Sequence, residues 1–570
     1  MSIPPEIQQR VQRWLNGPYD SQTKQEIQTL LDHNPQILCE AFYSELSFGT
    51  GGLRGLMGIG TNRLNTYTIH YATQGLVNYI LKQKIHDPLV VIGFDSRHHS
   101  EEFAWETARV CAGNGVRVKL LNHLRPTPFI SFACRQEKAT AAVMITASHN
   151  PKDYNGYKVY WSDGAQVVPP HDTGIMAEVG QITDPSQVKR APANSPLIEV
   201  LDNKLDKAYL EAIYSLQHFP TENREEGQTL KIIYTPLHGT GITLTPLALA
   251  NWGFQSVQCV PEQSKPDGDF PTVKFPNPEY KEALQLGIHL LEKTQSDILI
   301  ANDPDADRIG TAILYQGQPV LINGNEMAAI CTYYLCKVLT EQKKMPSRGA
   351  FVTTIVSTEL IREIASSFNK PCIEVLTGFK YIGEKIHEWE QSNNGYQFIF
   401  GAEESYGYLV GTHARDKDAV VMSCLIAEIA LHTKRQGHTL LNLLHEVYQR
   451  YGVYREKQVS LDFQPTQQEF ERMHQLMKRL RLAPPKQIAG IDVVKIEDYL
   501  SGQMSLPQSD VLTLRLQDKS RLIIRPSGTE PKIKIYASTC QPATGSLDRV
   551  IQSCDQHLST LIDSLKEHLK

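Results

Sequence analysis

The sequence lacks the features that mark membrane, secreted and metal-cysteine proteins. It has no run of about 18 apolar residues, and its N-terminus has no charged segment followed by an apolar core, so neither membrane spanning nor secretion is expected. The ten cysteines form no CxxC pair, and the closest two, Cys331 and Cys336, lie in an apolar, helix-like stretch that favours core packing. We therefore expect a reduced, cytoplasmic protein without a membrane partner.

A strong charge of either sign is also absent. The chain has 57 Lys and Arg against 62 Asp and Glu, a formal net charge of −5, so a broad surface for nucleic acid is not expected. No repeat of about 20 to 50 residues indicates a solenoid. GFKYIGEK has two glycines at P-loop spacing, but Glu384 stands where the loop requires lysine, which argues against nucleotide binding.

What remains is an ordinary globular composition, with 41% hydrophobic and 21% charged residues. At about 150 residues per domain, a chain of 570 residues suggests nearly four domains. The domain boundaries are approximate. They are indicated by a proline-rich stretch over 184–197 and by breaks near 323–325 and Arg450. The predicted domains are 1–205, which begins with N-terminal helices, then 206–320, 321–447 and 448–570.

Apolar strand patterns alternate with helical periods along most of the chain. LVVIGFD and AAVMITA, LKIIYTP and DILIAND, and AFVTTIV and FIFGAEE are strand-like, whereas 101–113 and 421–433 have helical period. The last part differs, because LTLRL, RLIIR and KIKIYAS alternate like antiparallel strands before a final helix. The predicted fold class is α/β, with three similar mixed α/β sheet domains followed by a C-terminal α+β domain.

The segment VMITASHNPKDYNGYKVY places Ser148 after a buried strand and before a turn-rich stretch. Backbone amides in such a turn can form an anion-binding nest around a phosphate on the hydroxyl. The alternative is that Ser148 only satisfies backbone groups at a strand end. Three distant segments favour phosphate chemistry.

The first of these segments, DILIANDPDADRIG, carries Asp303, Asp305 and Asp307 at alternate positions after a strand. Three carboxylates on one loop repel one another unless a cation lies among them, and oxygen ligands suit magnesium. The loop is not an EF-hand, since Arg308 and Leu314 stand where glycine and glutamate are needed. The alternative is a solvated acidic loop.

The second segment, GAEESYG, holds Glu403, Glu404 and Ser405 between two glycines. Such groups can bond sugar hydroxyls, although acidic residues after a strand can equally cap a helix. The third, RLIIRPSGTEPKIKIY, is predicted to place four phosphate-binding residues in a turn between strands, where a purely geometric hairpin is the alternative. These residues are Arg525, Ser527, Gly528 and Thr529.

Together the four segments resemble one family, the phosphohexomutases, which include phosphoglucomutase and phosphomannomutase. The resemblance spans about residues 45 to 540 and is closest to a phosphoglucomutase-2-like branch, through SFGTGGLRG, TASHNPKDYNGYKVYW, ANDPDADR, LTGFKYIGEK and GAEESYGY. It implies four domains around a central cleft. It also implies Mg²⁺ bound by the serine and the three aspartates, and glucose 1,6-bisphosphate as intermediate and activator.

The resemblance further assigns roles to single residues. Lys158, His149 and Arg54 match positions that serve proton transfer and phosphate support. Lys158 is interpreted either as a base or as an electrostatic group, whereas a histidine such as His149, read alone, is more often a hydrogen-bonded structural residue. Substrate contacts are implied for ten residues, which are Arg308, Thr377, Gly378, Glu403, Ser405, Lys417, Arg525, Ser527, Gly528 and Thr529.

The implied activity is interconversion of glucose 1-phosphate and glucose 6-phosphate through a phosphoserine at Ser148, by a monomer or homodimer acting on small sugar phosphates. Phosphomannomutase or phosphopentomutase activity is the alternative within the family. From another class, DILIANDPD also suits a phosphatase with an aspartyl nucleophile, but that reading gives Ser148 no role. A non-catalytic sugar-phosphate sensor is disfavoured because every catalytic position is filled.

Overall fold

The computed structural model describes residues 3–46, 52–463, 467–527 and 532–569. The chain divides into two compact units. The first contains Met1–Asn323, Gly378–Phe398 and Ser405–His432, and the second contains Gly324–Thr377, Ile399–Glu404 and Thr433–Lys570. Among the described residues, none of the helices has both the length and the apolar character that a bilayer crossing requires.

Three short helices precede the first sheet, as predicted for the start of the chain. They are α1 Pro5–Asn16, α2 Ser21–His33 and α3 Pro35–Phe42. Asp20 caps α2 by accepting the Thr23 N–H at 2.9 Å. Trp14, Ile27 and Phe42 are buried in a shared core, so the segment folds as a small helical layer.

The first sheet positions Ser148. Its elements are β1 Leu53–Leu56, α4 Thr66–Lys82, β2 Leu89–Phe94, α5 Ser100–Gly113, β3 Arg117–Leu121, α6 Thr127–Gln136, β4 Ala141–Ile145, β5 Tyr154–Trp161, α7 His171–Val179 and β6 Ile198–Leu201. The strand order is β1-β5-β4-β2-β3-β6. Strands β4, β2, β3 and β6 are parallel; β5 pairs antiparallel with β4, and β1 pairs antiparallel with β5. Every residue of β2 and β4 is buried, as expected for parallel strands covered by helices.

The second sheet positions the aspartate loop. Its elements are α8 Lys204–Tyr214, α9 Pro220–Glu226, β7 Ile232–Thr235, α10 Thr245–Asn251, β8 Val257–Cys259, α11 Lys281–Thr294, β9 Ile298–Asn302, β10 Ile309–Tyr315 and β11 Gln318–Ile322. The order is β11-β10-β9-β7-β8, with β9, β7 and β8 parallel and β10 and β11 antiparallel. Ile233 of β7 and Leu299 of β9 belong to a core that α11 covers with Leu284.

The next part of the chain passes between the two units. Its elements are α12 Gly324–Glu341, β12 Gly349–Thr354, α13 Leu360–Ser367, β13 Cys372–Val375, α14 Phe379–Gln391, β14 Gln397–Glu403, β15 Gly407–Val410 and α15 Ala419–Arg435. In the second unit, β12 pairs in parallel with β13 and has β14 as its other neighbour. The alternation of strand and helix is the predicted one.

The C-terminal part is built on an antiparallel sheet. Its elements are α16 Leu440–Tyr451, β16 Val453–Asp462, α17 Gln467–Leu482, β17 Gln487–Ile488, β18 Ile491–Asp498, β19 Leu512–Leu516, β20 Arg521–Pro526, β21 Lys532–Gln541 and α18 Leu547–His568. The order is β16-β21-β20-β19-β18-β17, antiparallel throughout. Leu514, Ile524 and Leu561 are part of its core. The predicted fold class is thus confirmed, whereas the domain bounds and the central cleft stay predictions.

Candidate active site

Ser148 lies in a tight turn beyond the end of β4. Its φ of 53° is in the left-handed region, which residues with a side chain rarely adopt. The residue is fully buried. Its Oγ donates a hydrogen bond to Asp303 Oδ2 at 2.7 Å, and its N–H donates to Thr146 Oγ1 at 2.8 Å. The turn therefore aims the hydroxyl at the loop of residues 303–307, called here the aspartate loop.

The aspartate loop follows β9 and carries three buried carboxylates. Asp303, Asp305 and Asp307 each offer a carboxylate oxygen, and these atoms all lie within 4.8 Å of one another. Asp303 Oδ1 accepts the N–H groups of Asp307 at 3.0 Å and Arg308 at 2.9 Å. These bonds fold the loop back on its first aspartate, so the carboxylates converge.

Two lysines face the same carboxylates. Lys158, on β5, donates from Nζ to Asp305 Oδ2 at 2.7 Å and to Asp307 Oδ2 at 2.9 Å. Lys417 Nζ lies 3.2 Å from Asp307 Oδ2 and 3.0 Å from Asp416 Oδ1. A Cβ at Gly407 would lie 2.1 Å from Lys417 Cδ. This glycine of GAEESYG therefore makes room for the lysine.

These neighbours move the pKa values in different directions. Burial, followed by repulsion from Asp305 and Asp307, raises the pKa of Asp303 well above its ordinary value. Burial also opposes ionisation of Asp307, but Lys158 and Lys417 hold its pKa well below the ordinary value. Burial would lower the pKa of Lys158, but Asp305 and Asp307 raise it. The two carboxylates therefore favour the charged form of Lys158.

The remaining carboxylate oxygens suit a divalent cation. Among the described residues, Oδ1 of Asp305 and Oδ1 of Asp307 are buried without a hydrogen-bond partner. Arg308 Nε lies 4.0 Å from Asp307 Oδ1, beyond hydrogen-bond distance. Buried carboxylate oxygens without a partner are costly, and a cation would satisfy both. A few carboxylates completed by a phosphate oxygen is the ligand set that Mg²⁺ prefers, so these residues fit the implied metal.

The structure adds two side chains that the sequence analysis did not single out. Thr127, the first residue of α6, donates from Oγ1 to Asp305 Oδ2 at 2.7 Å and from its N–H to the Asp305 carbonyl at 2.8 Å. Arg97, in the segment DSR directly after β2, contacts the loop that contains Ser148. Charged residues after the end of a buried strand were a usable signal for Arg97. Thr127 had no such signal.

The other residues implied for proton transfer and phosphate support lie in the same unit. His149 Nδ1 is 3.2 Å from Ser148 Oγ, and Arg54 Nη1 is 3.3 Å from Asn150 Oδ1. Burial, followed by the guanidinium groups of Arg308 and Arg54, lowers the pKa of His149 well below its ordinary value. These surroundings therefore favour the neutral form of the imidazole. Arg308 itself forms an ion pair with Glu279.

The loops implied for sugar recognition lie where the chain passes between the units. Thr377 ends one segment of the second unit and Gly378, with φ of 116°, begins the next segment of the first unit. Glu403 is the buried last residue of β14 in the second unit, while Ser405 belongs to the first. The Tyr406 carbonyl accepts the Ile309 N–H at 3.0 Å. Ser405 is thus next to a residue held against the strand that leaves the aspartate loop.

The described residues of the segment implied for phosphate binding, Arg525 and Ser527, belong to the second unit. Arg525 was predicted to lie in the turn, but β20 continues through Pro526, and Arg525 pairs with Lys534 of β21. The strand can include Pro526 because proline is tolerated at a strand end. Ser527 donates its N–H to the Lys532 carbonyl at 2.8 Å. Gly528 and Thr529 lie outside the described residues.

Three family models match most of the chain in order. Their descriptions are phosphoglucomutase/phosphomannomutase alpha/beta/alpha domain I over residues 45–186, domain II over 207–315 and domain III over 323–451. The chain belongs to the phosphoglucomutase/phosphomannomutase family. This confirms the resemblance of the chain to the phosphohexomutases.

Relatives in this family agree with the assignment. The phosphoglucomutase of Staphylococcus haemolyticus is 37% identical over 516 residues, covering 88% of this chain and 91% of that protein. The phosphoglucomutase of Staphylococcus aureus is 36% identical over 516 residues, covering 88% and 90%. The chain is therefore a sugar-phosphate mutase, and this membership disfavours the phosphatase and sensor alternatives.

Solved structures of the family share the fold. The open form of the exocytosis-sensitive phosphoprotein parafusin, a phosphoglucomutase from Paramecium, has a TM-score of 0.68 at 17% identity, covering 92% of this chain and 96% of that one. A phosphoglucomutase/phosphomannomutase family protein from Burkholderia thailandensis has a TM-score of 0.66 at 18% identity, with coverage of 92% and 96%. At these identities the likeness extends to the fold alone.

Proposed function

We propose that this family member is a phosphoglucomutase that interconverts glucose 1-phosphate and glucose 6-phosphate through a phosphoserine at Ser148. The observation that carries the proposal is the hydrogen bond of 2.7 Å from the buried Ser148 Oγ to Asp303 Oδ2. The serine hydroxyl oxygen thus lies beside a cluster of carboxylates that fits a divalent cation. A positioned nucleophile next to a bound metal ion is the arrangement used in phosphoryl transfer. The names of the relatives support glucose as the sugar.

In the forward direction, phosphorylated Ser148 donates its phosphoryl group to the 6-hydroxyl of glucose 1-phosphate. The bond from phosphorus to Oγ breaks and a bond from phosphorus to the sugar oxygen forms. The 6-hydroxyl gives up its proton, and Oγ takes one up to become the serine hydroxyl. The resulting 1,6-bisphosphate turns over in the site and returns its 1-phosphate to Ser148 Oγ, which releases glucose 6-phosphate. Added glucose 1,6-bisphosphate would phosphorylate unmodified Ser148, so it acts as activator.

The charged residues around Ser148 would stabilise this transfer. Asp303, Asp305 and Asp307 would hold Mg²⁺ together with an oxygen of the phosphoserine, and the bound ion supplies Lewis-acid stabilisation of the phosphoryl oxygens. Lys158, which is fully buried, brings a fixed positive charge to the same place. His149, 3.2 Å from Oγ, is placed to exchange a proton there. Arg54 would support the phosphate.

Turnover of a bisphosphate requires recognition of both ends of the sugar. Glu403 and Ser405 would bond the sugar hydroxyls in either orientation, while Thr377 and Gly378 would help to select the sugar. Vicinal hydroxyls both donate and accept, which suits a carboxylate beside a hydroxyl. The phosphate that is not reacting would be bound by charged groups and turn residues, namely Arg308, Lys417, Arg525, Ser527, Gly528 and Thr529.

The test is a comparison of sugars with a mutational control. Conversion of glucose 1-phosphate is measured with Mg²⁺ and trace glucose 1,6-bisphosphate, beside mannose 1-phosphate and ribose 1-phosphate, and intact mass reports phosphate on the protein. We expect glucose to be preferred, and Ser148→Ala to lose both the mass increment and turnover. Ser131→Ala, which removes an equally buried hydroxyl bonded to the Gly164 carbonyl at 2.6 Å, should keep both.

Other outcomes have distinct meanings. Preference for mannose or ribose 1-phosphate would keep the phosphoserine and change the substrate, because these sugars differ by one hydroxyl orientation or one carbon. Turnover by Ser148→Ala would overturn the phosphoserine mechanism. Release of free phosphate in place of the isomer would restore the phosphatase alternative.

A further inference from the structure

Arg97 gathers the loop that contains Ser148 around one side chain. Its Nη2 donates to the carbonyls of Ser148 at 2.6 Å and Asn150 at 2.5 Å, and its Nη1 donates to those of Pro151 at 2.7 Å and Tyr154 at 2.9 Å. The Arg97 side chain is completely buried. Four carbonyls from a seven-residue stretch therefore converge on one guanidinium group.

The N–H of Ser148 is connected to Arg97 through two neighbouring side chains. Asp95 Oδ2 lies 3.4 Å from Arg97 Nε and accepts a hydrogen bond from Thr146 Oγ1 at 2.6 Å. Thr146 Oγ1 in turn accepts the Ser148 N–H at 2.8 Å. The Asp95–Arg97 pair thus fixes the N–H of Ser148 through Thr146 and its carbonyl directly. We call Asp95, Arg97 and Thr146 the loop clamp.

The backbone of Ser148 gives this clamp a task. At φ of 53° a serine is in a sparsely populated conformation, which persists only where the surroundings over-determine it. Arginine is suited to the task because its planar fork presents five N–H donors in fixed directions. A lysine has the charge, but its single ammonium group cannot span four carbonyls.

We propose that Arg97 is a positioning residue for the phosphoryl transfer, which holds the Ser148 loop in the one conformation that aims Oγ at Asp303. The inference rests on the proposed phosphoserine function and deepens it. Arg97 acts through the backbone of Ser148, so its loss would affect the reaction step more than substrate binding. A misplacement of about 1 Å can cost about 100-fold in rate.

The test compares Arg97→Lys with Arg109→Lys. Arg109 is a matched control, since its guanidinium also bonds a backbone carbonyl, that of Ala191 at 3.0 Å, and a carboxylate, Glu106 at 2.6 Å, but lies on α5 outside the clamp. Hydrogen exchange of peptides covering 147–156 reports the loop, and exchange in the C-terminal sheet reports global stability. Steady-state kinetics give kcat and KM, and intact mass gives the rate at which glucose 1,6-bisphosphate phosphorylates Ser148.

We expect Arg97→Lys to speed exchange in 147–156 selectively, and to lower kcat and the phosphorylation rate about 100-fold while KM stays within about threefold. Arg109→Lys should change neither the loop exchange nor kcat and the phosphorylation rate. Loop exchange that matches the wild type, or a loss of kcat equal to that of Arg109→Lys, overturns the inference. If Ser148→Ala is inactive while Arg97→Lys is normal, the clamp fails and the proposed function stands; if Ser148→Ala turns over, the proposed function fails and loop exchange still decides the clamp.

A second pair of variants covers failure of Arg97→Lys to fold. Thr146→Val keeps the side-chain shape but removes both hydrogen bonds of the hydroxyl, whereas Thr146→Ser keeps them. The clamp predicts faster loop exchange and lower kcat for the valine variant and recovery in the serine variant. Wild-type kcat in Thr146→Val, or equal losses in both variants, overturns it.

Discussion

Two groups of charged side chains, one in each unit, differ in how their charges are arranged. In the first unit, Asp303, Asp305 and Asp307 bring three like charges within 4.8 Å. In the second unit, Arg515 stands between two acids, donating to Glu359 Oε1 at 3.1 Å and to Glu497 Oε2 at 3.2 Å. In the second group each charged side chain lies next to an opposite charge, which stabilises its ionised form. In the first group the carboxylates repel one another, and a bound cation would reduce that repulsion.

The pKa directions express the same difference. Burial opposes ionisation of Glu359, but Arg521 and Arg515 lower its pKa, and Arg515 has a raised pKa beside its acids, so each group favours its charged form. In the aspartate loop the pKa of Asp303 is raised while that of Asp307 is lowered. Perturbed pKa values occur in both places. What distinguishes the aspartate loop is that the pKa values of neighbouring acids are shifted in opposite directions, and we take this difference in direction as the better indication of a ligand site.

The largest expected effect comes from removing one of the like charges. Asp303→Asn should lower kcat roughly 10²- to 10³-fold, because a bound cation supplies several kcal/mol of transition-state stabilisation. Without Mg²⁺, its thermal midpoint should stay near that of the wild type, since burial and the neighbouring aspartates already disfavour the charged form of Asp303 by raising its pKa. Differential scanning fluorimetry with and without Mg²⁺, beside the mutase assay, measures both.

Magnesium also separates this variant from a control. At about 100 times Kd, Mg²⁺ should stabilise the wild-type protein by about 2.7 kcal/mol and leave Asp303→Asn nearly unchanged. Asp297→Asn is the control. It alters a carboxylate directly before β9, the strand that leads into the aspartate loop, where Oδ2 accepts the Lys231 N–H at 2.8 Å, and it should keep the response to Mg²⁺. Equal stabilisation of Asp303→Asn would place the metal elsewhere.

A smaller effect is expected from the hydroxyl that orients Asp305. Thr127 Oγ1 and Lys158 Nζ both donate to Asp305 Oδ2 at 2.7 Å, which leaves Oδ1 for a cation. Loss of an outer hydrogen bond of this kind costs about 10- to 100-fold in metal affinity. Thr127→Val should therefore weaken Mg²⁺ binding in a calorimetric titration, and Thr127→Ser should restore it. Equal affinity in all three proteins would show that Lys158 alone fixes the carboxylate.

Thr127 also marks how far the sequence predicts this site. Ser148 and the three aspartates could be found because each follows an apolar strand, and open α/β sheets bind ligands beyond the carboxyl ends of their strands, although β4 and β9 belong to different sheets. Their convergence in the first unit agrees with that expectation. Thr127 follows no strand pattern, and its contact with Asp305 joins residues 178 positions apart. Such a contact depends on how elements pack and leaves no local signal.

The fold shows the same division. The buried strands and long helices were predictable from hydrophobic period. β6 was not predicted, because it is short, has two exposed residues and directly follows the expected linker at 184–197. Arg525 was placed in a turn because proline and glycine follow it, but pairing with β21 extends β20 through Pro526. Local turn signals are overruled where cross-strand pairing continues.

The smallest expected effect concerns the alternating group. Glu359→Gln removes the acid between Arg515, at 3.1 Å, and Arg521, at 3.6 Å, and should lower the free energy of unfolding at pH 7 by about 2 kcal/mol. The folded-state pKa of Glu359 is lowered, so its contribution is present above the unfolded-state value of about 4.5 and is lost as pH falls through the folded value.

The difference in the free energy of unfolding between wild type and Glu359→Gln should therefore have its full size at pH 7 and become smaller below about pH 4. Urea unfolding at pH 7 and below about pH 4 measures it. Mg²⁺ binding should be retained, in contrast to Asp303→Asn. A stability loss of equal size at both pH values would place its cause in packing, and loss of the Mg²⁺ response would contradict the distinction between a network whose charges satisfy one another and a site whose charges require a ligand.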